Sequence, residues 1–322
     1  SDDASSTLDI LLLPFRDPQF FLSTLPSDLP LSSICLPGTH ESLALYGWPI
    51  STCQSASSSV LHQLKEGIRF LDVRLSIKGK GTDSRLLAYH GITDQRIPFD
   101  QVLEQCFDFL RGHGGETLIM SIKQENNVEG FKEMVMEKYV HPTQDFWFLS
   151  PRVPTLGECR GKIVLLSRFG RGDEQPGGIH PPIWPNSSKE IFSYKLPSGQ
   201  TVETQDWYDI SSLSNLDSKQ ELIERLLVSS GSDPEILSLN FCSASSFPLA
   251  LPPFAAKGFL TGGPKCLSKR GINSRLFDVI CDRLRRIPTS NFLMCVFLLD
   301  YFEEPEASKD LVSLMIEANF GI

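Results

Sequence analysis

The sequence predicts an α/β fold, a single (β/α)8-type TIM barrel of irregular outline. Three observations carry this. About eight segments are almost continuous apolar runs, as parallel strands buried on both faces require. Helical patterns, with apolar residues at three- and four-residue spacing, fall between several of them. The polar residues of the runs gather toward one end, where the strands of a barrel share a rim and build a site.

In chain order, the first strand is LSSICLP (31–37), and a Pro-Gly-Thr turn follows it, ending in His40 and Glu41. The helical pattern VLHQLKEG precedes IRFLDVRLSI (68–77), and RLLAYHG (85–91) reads as a third strand. FDQVLEQCFDFLRGH is helical and leads to TLIMSIKQE (117–125). VEGFKEMVMEKYV comes next, ahead of KIVLLSRF (162–169). The Pro/Gly-rich RGDEQPGGIHPPIWPNSS (171–188) is one long excursion, after which VETQDWY (202–208) is a short strand. SKQELIERLLVSSG, ILSLNFCSA (236–244), NSRLFDVICDRLRRI, FLMCVFLLDYF (292–302) and SKDLVSLMIEANF complete the alternation. In the penultimate helix, Phe277, Ile280, Cys281 and Leu284 fall on one face. No linker or composition break divides the chain, so residues 1–322 read as one domain with a core of about 30–302.

Composition narrows the function. The chain is 41% hydrophobic and 21% charged, with a net charge of −9. That balance excludes a nucleic-acid binder with basic stripes. It also excludes membrane attachment driven by attraction to anionic lipid. No apolar run reaches the ~18–20 residues of a membrane span. The eight cysteines form neither a CxxC pair nor a zinc spacing, and Cys35, Cys106, Cys242, Cys281 and Cys295 read as buried thiols. Asn186-Ser187-Ser188 is a glycosylation sequon, and the opening SDDASSTLDI has no signal-peptide apolar core. Secreted and cytoplasmic locations both stay open.

The strand ends carry chemistry. His40 and Glu41 follow the first strand, Asp72 and Arg74 share one face of the second, and His90 closes the third. Lys123 and Glu125 end the fourth and Arg168 the fifth; Asp206 and Tyr208 lie in the sixth, and Asp300 ends the last. Two imidazoles can act as general base and general acid near neutrality. A carboxylate on the far nitrogen of one fixes its tautomer. Arg74 and Lys123 suit a phosphoryl group that gains charge in its transition state. His62, His113, His141 and His180 lack such neighbours and read as structural or exposed.

The stretches LPGTHESL, QLKEGIRFLDVRL, YHG, ETLIMSIKQE, KIVLLSRF, VETQDWY and VFLLDYF, in this order over roughly residues 30–302, resemble the phosphatidylinositol-specific phospholipases C. The likeness is to the metal-independent bacterial type, whose only catalytic unit is the X-type barrel. The resemblance implies His40 as the base that deprotonates the inositol 2-hydroxyl, Asp300 as the carboxylate orienting it and His90 as the acid for the diacylglycerol oxygen. It implies Arg74 on the phosphate, with no metal and no cofactor, and Lys123, Arg168, Asp206 and Tyr208 on the inositol. Asp72 matches an acidic position of the calcium site in the metal-dependent branch and is expected at the substrate site without a metal. The expected products are diacylglycerol and inositol 1,2-cyclic phosphate. Glu41 departs from the family, which has Asp after the first histidine.

The partner implied is phosphatidylinositol or a related inositol phospholipid at a membrane surface, met by a monomer. Loops carrying Trp48 and Phe254 are candidates for peripheral contact, because aromatic residues favour interfaces. Two other readings stay open: a metal-dependent glycerophosphodiester phosphodiesterase, and a non-catalytic lipid-binding barrel.

Overall fold

The computed structural model describes residues 14–170, 174–229, 233–259, 268–286 and 293–320. The first strands are β1 (Leu36–Thr39), β2 (Phe70–Lys78), β3 (Arg85–His90), β4 (Thr93–Pro98), β5 (Leu118–Gln124), β6 (Trp147–Phe148) and β7 (Ile163–Arg168). Then come β8 (Phe192–Lys195), β9 (Thr201–Gln205), β10 (Ile236–Phe241), the two-residue β11 (Gly258–Phe259) and β12 (Lys269–Arg270), and β13 (Val296–Leu299). The helices are α1 (Val60–Lys65), α2 (Phe99–Gly112), α3 (Phe131–Glu133), α4 (Leu156–Cys159), α5 (Leu216–Ser229), α6 (Pro252–Lys257), α7 (Ile272–Arg286) and α8 (Leu311–Glu317).

One curled sheet, in the order β6-β7-β5-β2-β1-β13-β10-β9-β8, forms the barrel wall. All neighbours in it are parallel except β8, which runs antiparallel to β9. The apolar runs explain this: Phe70, Leu71, Val73 and Leu75 of β2 and Ile163 to Leu166 of β7 are buried on both faces. Outside them, α2 turns inward Phe99, Val102, Leu103, Cys106, Phe109 and Leu110. Asn319, just past α8, locks the chain end onto the start of β1. Its side-chain oxygen accepts from the Cys35 N–H at 2.8 Å, and its amide donates to the Cys35 carbonyl at 3.0 Å.

Three expectations need correction. RLLAYHG is a strand, but it runs antiparallel to β2 and forms a hairpin with β4, so it is no stave of the barrel. The reason is chain length. Only residues 79–84 separate β2 from β3, and a parallel return needs a crossover of a dozen residues or more. Gly79, at φ +97°, makes the turn; a Cβ there would sit 2.6 Å from the Asp83 carbonyl oxygen. The first strand starts later than expected, because Leu31–Ser33 is a 3₁₀ turn, and Pro37-Gly38-Thr39, expected as the turn after it, is part of β1 itself, paired along β13. Asp206 and Tyr208 lie beyond the end of β9 rather than within it. Of the 171–188 excursion, residues 171–173 fall outside the described residues.

The wall has a seam. β7 and β9 exchange no backbone ladder, and β6 and β8 sit at the two open edges. Ile179, inside the excursion, bridges back to Leu166 and brings residues 180–186 over the end of β7.

Candidate active site

Strand register assembles the site. β1 and β13 pair Thr39 with Leu299, so the next residue of each strand, His40 and Asp300, are neighbours. His40 Nδ1 lies 2.8 Å from Asp300 Oδ1. Gln54 fixes both strand ends, donating to the carbonyls of His40 (2.9 Å) and Leu299 (2.8 Å). On the other side of β1, Arg74 pairs with Lys123 and Lys123 with Arg168. Three cations from adjacent strands thus stand in one row, at one level of the wall.

Each cation meets carboxylates. Arg74 Nη2 lies 2.8 Å from His40 Nε2, and Nη1 lies 2.5 Å from Glu41 Oε1 and 3.4 Å from Glu125 Oε1. Lys123 Nζ donates to Glu125 at 3.1 Å. Asp72 is fully buried beneath the row. It accepts from Arg74 and Arg168, each at 3.2 Å, from Ser121 at 3.2 Å and from the Glu41 N–H at 3.3 Å. It therefore holds the two guanidiniums and does not line the pocket.

His90 arrives from the opposite direction, on the returning strand β3, and its Nε2 lies 3.5 Å from Glu41 Oε1. Glu41 adopts φ +43°, a left-handed backbone that a non-glycine residue holds only where its surroundings enforce it. That twist points the carboxylate inward, between Arg74 and His90.

The protonation pattern follows from the contacts. A guanidinium can only donate, so Arg74 leaves a lone pair on His40 Nε2 and places the ring proton on Nδ1, facing Asp300. Burial first, then the Arg74 charge, holds the His40 pKa well below the ordinary imidazole value. Burial raises Glu41, against the pull of Arg74 and His90. Burial works against the ionised form of Asp72 too, yet Arg74 and Arg168 hold its carboxyl well below the usual range. Burial and the Glu41 charge push Asp300 up, against the pull of the Arg74 and Lys219 charges.

Beside Arg74 lies a pocket of about 270 Å³, lined among others by Lys123, Arg168, Asp206 and Tyr208. Four of the sequence-expected binding residues meet here, Lys123 and Arg168 from strand ends and Asp206 and Tyr208 from the loop after β9, while Asp72 stays beneath. Arg168 Nη2 is 4.0 Å from Asp206 Oδ2 across the seam, and Tyr208 donates to the Asn186 side-chain oxygen at 2.6 Å. Arg168 Nε and Asp206 Oδ1 are buried with no hydrogen-bond partner, an arrangement that suits ligand hydroxyls. Tyr208 is raised by burial and by Asp206.

Sequence reasoning passed over Trp184. Its ring lies 3.7 Å from the Arg168 guanidinium, and its indole N–H donates to Asp206 at 2.8 Å. The signal was an aromatic residue between prolines in the excursion that directly follows Arg168. Glu125 and Asn186 were noticed only as a strand-end charge and a sequon. Cys53 carried no signal.

Comparisons with known proteins give the family and the fold that the chain is similar to. Residues 42–169 match the family described as phosphatidylinositol-specific phospholipase C, X domain, a segment that takes in Asp72, Arg74, His90, Lys123 and Arg168. The chain is 28% identical over 247 residues to a 1-phosphatidylinositol phosphodiesterase of Listeria monocytogenes, covering 73% of this chain and 71% of that one. To the protein of the same name from Staphylococcus aureus strain Newman it is 27% identical over 252 residues, 72% of this chain and 77% of that one. Among solved structures, the S. aureus phosphatidylinositol-specific phospholipase C aligns with a TM-score of 0.76 at 23% identity, covering 94% of this chain and 98% of that one. The L. monocytogenes enzyme aligns at 0.70 and 22%, covering 94% and 99%. These structural likenesses establish the irregular barrel.

Proposed function

We propose that this chain, a relative of the bacterial phosphatidylinositol-specific phospholipases C over most of its length, cleaves phosphatidylinositol to diacylglycerol and inositol 1,2-cyclic phosphate. The observation that carries this is the row Arg74–Lys123–Arg168 standing beside a His40–Asp300 pair whose Nε2 is unprotonated and faces Arg74.

In this reading the inositol sits among Lys123, Arg168, Asp206 and Tyr208, with its hydroxyls on the unpartnered Arg168 Nε and Asp206 Oδ1. His40 Nε2 takes the proton of the 2-hydroxyl, whose oxygen attacks the adjacent phosphorus. Asp300 steadies the imidazolium that forms. Arg74 follows the charge that builds on the phosphoryl oxygens. His90 gives a proton to the departing glycerol oxygen, with Glu41 beside it. Slower hydrolysis of the cyclic ester uses the same two histidines with exchanged roles. Glu41 keeps the charge of the Asp found in the bacterial pattern and reaches Arg74 through its left-handed backbone.

The chemistry is assigned without a metal. The carboxylates Glu41, Asp72 and Glu125, which in another setting could surround a divalent cation, converge on the Arg74 guanidinium. That observation disfavours the metal-dependent phosphodiesterase.

The substrate is met at a lipid surface. Trp48 is 81% exposed on the loop after β1, and Phe254 is 45% exposed with its ring against Phe259. In the loop leading to α6, Phe247 (74%) and Leu249 (66%) are more exposed than Phe254, and they join Trp48 as the apolar contacts of this reading.

Phosphorus NMR of the protein with phosphatidylinositol in detergent micelles and EDTA tests the reaction. A cyclic inositol phosphate signal is expected. Turnover only after calcium or magnesium is added would replace this reading with a metal-dependent one, and no turnover in either condition would leave a lipid-binding barrel.

A further inference from the structure

Cys53 is buried at the junction of the two catalytic loops. Its N–H donates to the Ala44 carbonyl at 2.9 Å, in the loop after His40. Its own carbonyl accepts from the Tyr301 N–H at 2.8 Å, in the loop after Asp300. The thiol is therefore held in place by backbone on both sides. Its sulfur lies 4.0 Å from His90 Nδ1, and the sulfur, a ring nitrogen of His40 and a carboxylate oxygen of Asp300 all lie within 4.8 Å of one another.

These contacts close a ring. Asp300 touches His40, His40 touches Arg74, Arg74 touches Glu41, Glu41 lies beside His90, and His90 meets Cys53, whose sulfur stands within 4.8 Å of an Asp300 oxygen. A thiol can donate and accept at once. With its S–H turned toward the Asp300 oxygen within 4.8 Å, it would present its sulfur lone pairs to an Nδ1–H of His90. The proton that His90 exchanges then belongs to Nε2, on the side of Glu41.

We propose that Cys53 is a positioning residue for the general acid, fixing the ring and tautomer of His90. This rests on the reaction assigned above and extends it to a residue outside the reacting set. Burial, then Asp300, holds the thiol well above its ordinary pKa, so it works as a neutral hydrogen-bonding group and not as a thiolate nucleophile.

Leaving-group dependence isolates this role. Diacylglycerol leaves as a basic alkoxide and needs a proton; 4-nitrophenolate leaves without one. Phosphatidylinositol and 4-nitrophenyl inositol phosphate are therefore compared in wild type, Cys53→Ala, Cys53→Val and Cys53→Ser, each checked for an unchanged thermal midpoint. In Cys53→Ala, kcat is expected to fall about tenfold on phosphatidylinositol with KM little changed, a part of what a general acid contributes. On the nitrophenyl substrate it should stay within about twofold. Cys53→Val, which keeps the bulk, should behave like Cys53→Ala, and Cys53→Ser, which can still donate and accept, should recover most of the rate. Equal losses on both substrates, no loss on either, or Ser no better than Ala would overturn the proposal. The underlying reaction is judged apart, by whether wild type releases cyclic product at all.

Discussion

At His40 a single geometric fact decides the chemistry. Because Arg74 donates to Nε2, this nitrogen stays unprotonated and is the basic one. The depressed pKa has a readable sign: the free protein keeps His40 neutral below the pH where an ordinary imidazole takes up its proton, and loses the base only as the pH falls further. A long-range nitrogen–proton NMR titration should place the His40 midpoint below about 6.5. In Arg74→Gln, with the neighbouring charge gone, it should move up; an unchanged midpoint would remove Arg74 as a cause. Replacing either His40 or His90 with Ala should lower kcat by about 10²–10⁴ while circular dichroism and thermal midpoint stay near wild type. Full activity in either variant would end the two-histidine mechanism.

At the scale of elements, the site depends on one short turn. Residues 79–84 send the chain back along β2, and that reversal carries His90 to Glu41. Gly79→Ala must fit a Cβ 2.6 Å from the Asp83 carbonyl oxygen at φ +97°, whereas Gly81, at φ +57°, faces open space. Urea unfolding should show Gly79→Ala destabilised by about 1–3 kcal/mol and more so than Gly81→Ala. Its kcat should also drop further, because His90 shifts with the hairpin. Equal effects from both substitutions would mean that the close approach does not matter. The same hairpin marks where the sequence reading stopped. Apolar continuity revealed the parallel strands, and strand-end polarity revealed His40, Arg74, Lys123, Arg168 and Asp300, because period and burial are local properties of a run. Strand direction is not local. Only the six-residue spacing before β3 encoded the reversal, and apolar pattern alone gave RLLAYHG the wrong partner geometry. Trp184 and Asn186 were hidden for a related reason: a Pro/Gly-rich excursion has no period from which its path can be read.

For the whole molecule, the proposed contact with lipid rests on the exposed apolar side chains around Trp48. With a net charge of −9, docking through Trp48 and its neighbours should be insensitive to added salt, unlike attraction between opposite charges. Trp48→Ala should weaken binding to phosphatidylcholine vesicles about tenfold, by sedimentation, since one exposed aromatic contributes on the order of 1–2 kcal/mol when buried. Turnover of a water-soluble inositol phosphate ester should not change. Unaltered vesicle binding would assign Trp48 to another purpose.

The seam between β7 and β9 has a mechanical meaning. Elsewhere the wall is stitched by backbone, but here Arg168, Trp184 and Asp206 bridge it with side chains, and two of their polar atoms are left unpaired. An inositol ring seated across those groups would serve as the missing rivet of the barrel, tying one edge to the other. Headgroup affinity and structural integrity would then be the same quantity seen twice. Millimolar myo-inositol should raise the unfolding temperature with the logarithm of its concentration once it exceeds Kd, and hydrogen exchange should slow along β7 and β9 before it slows anywhere else.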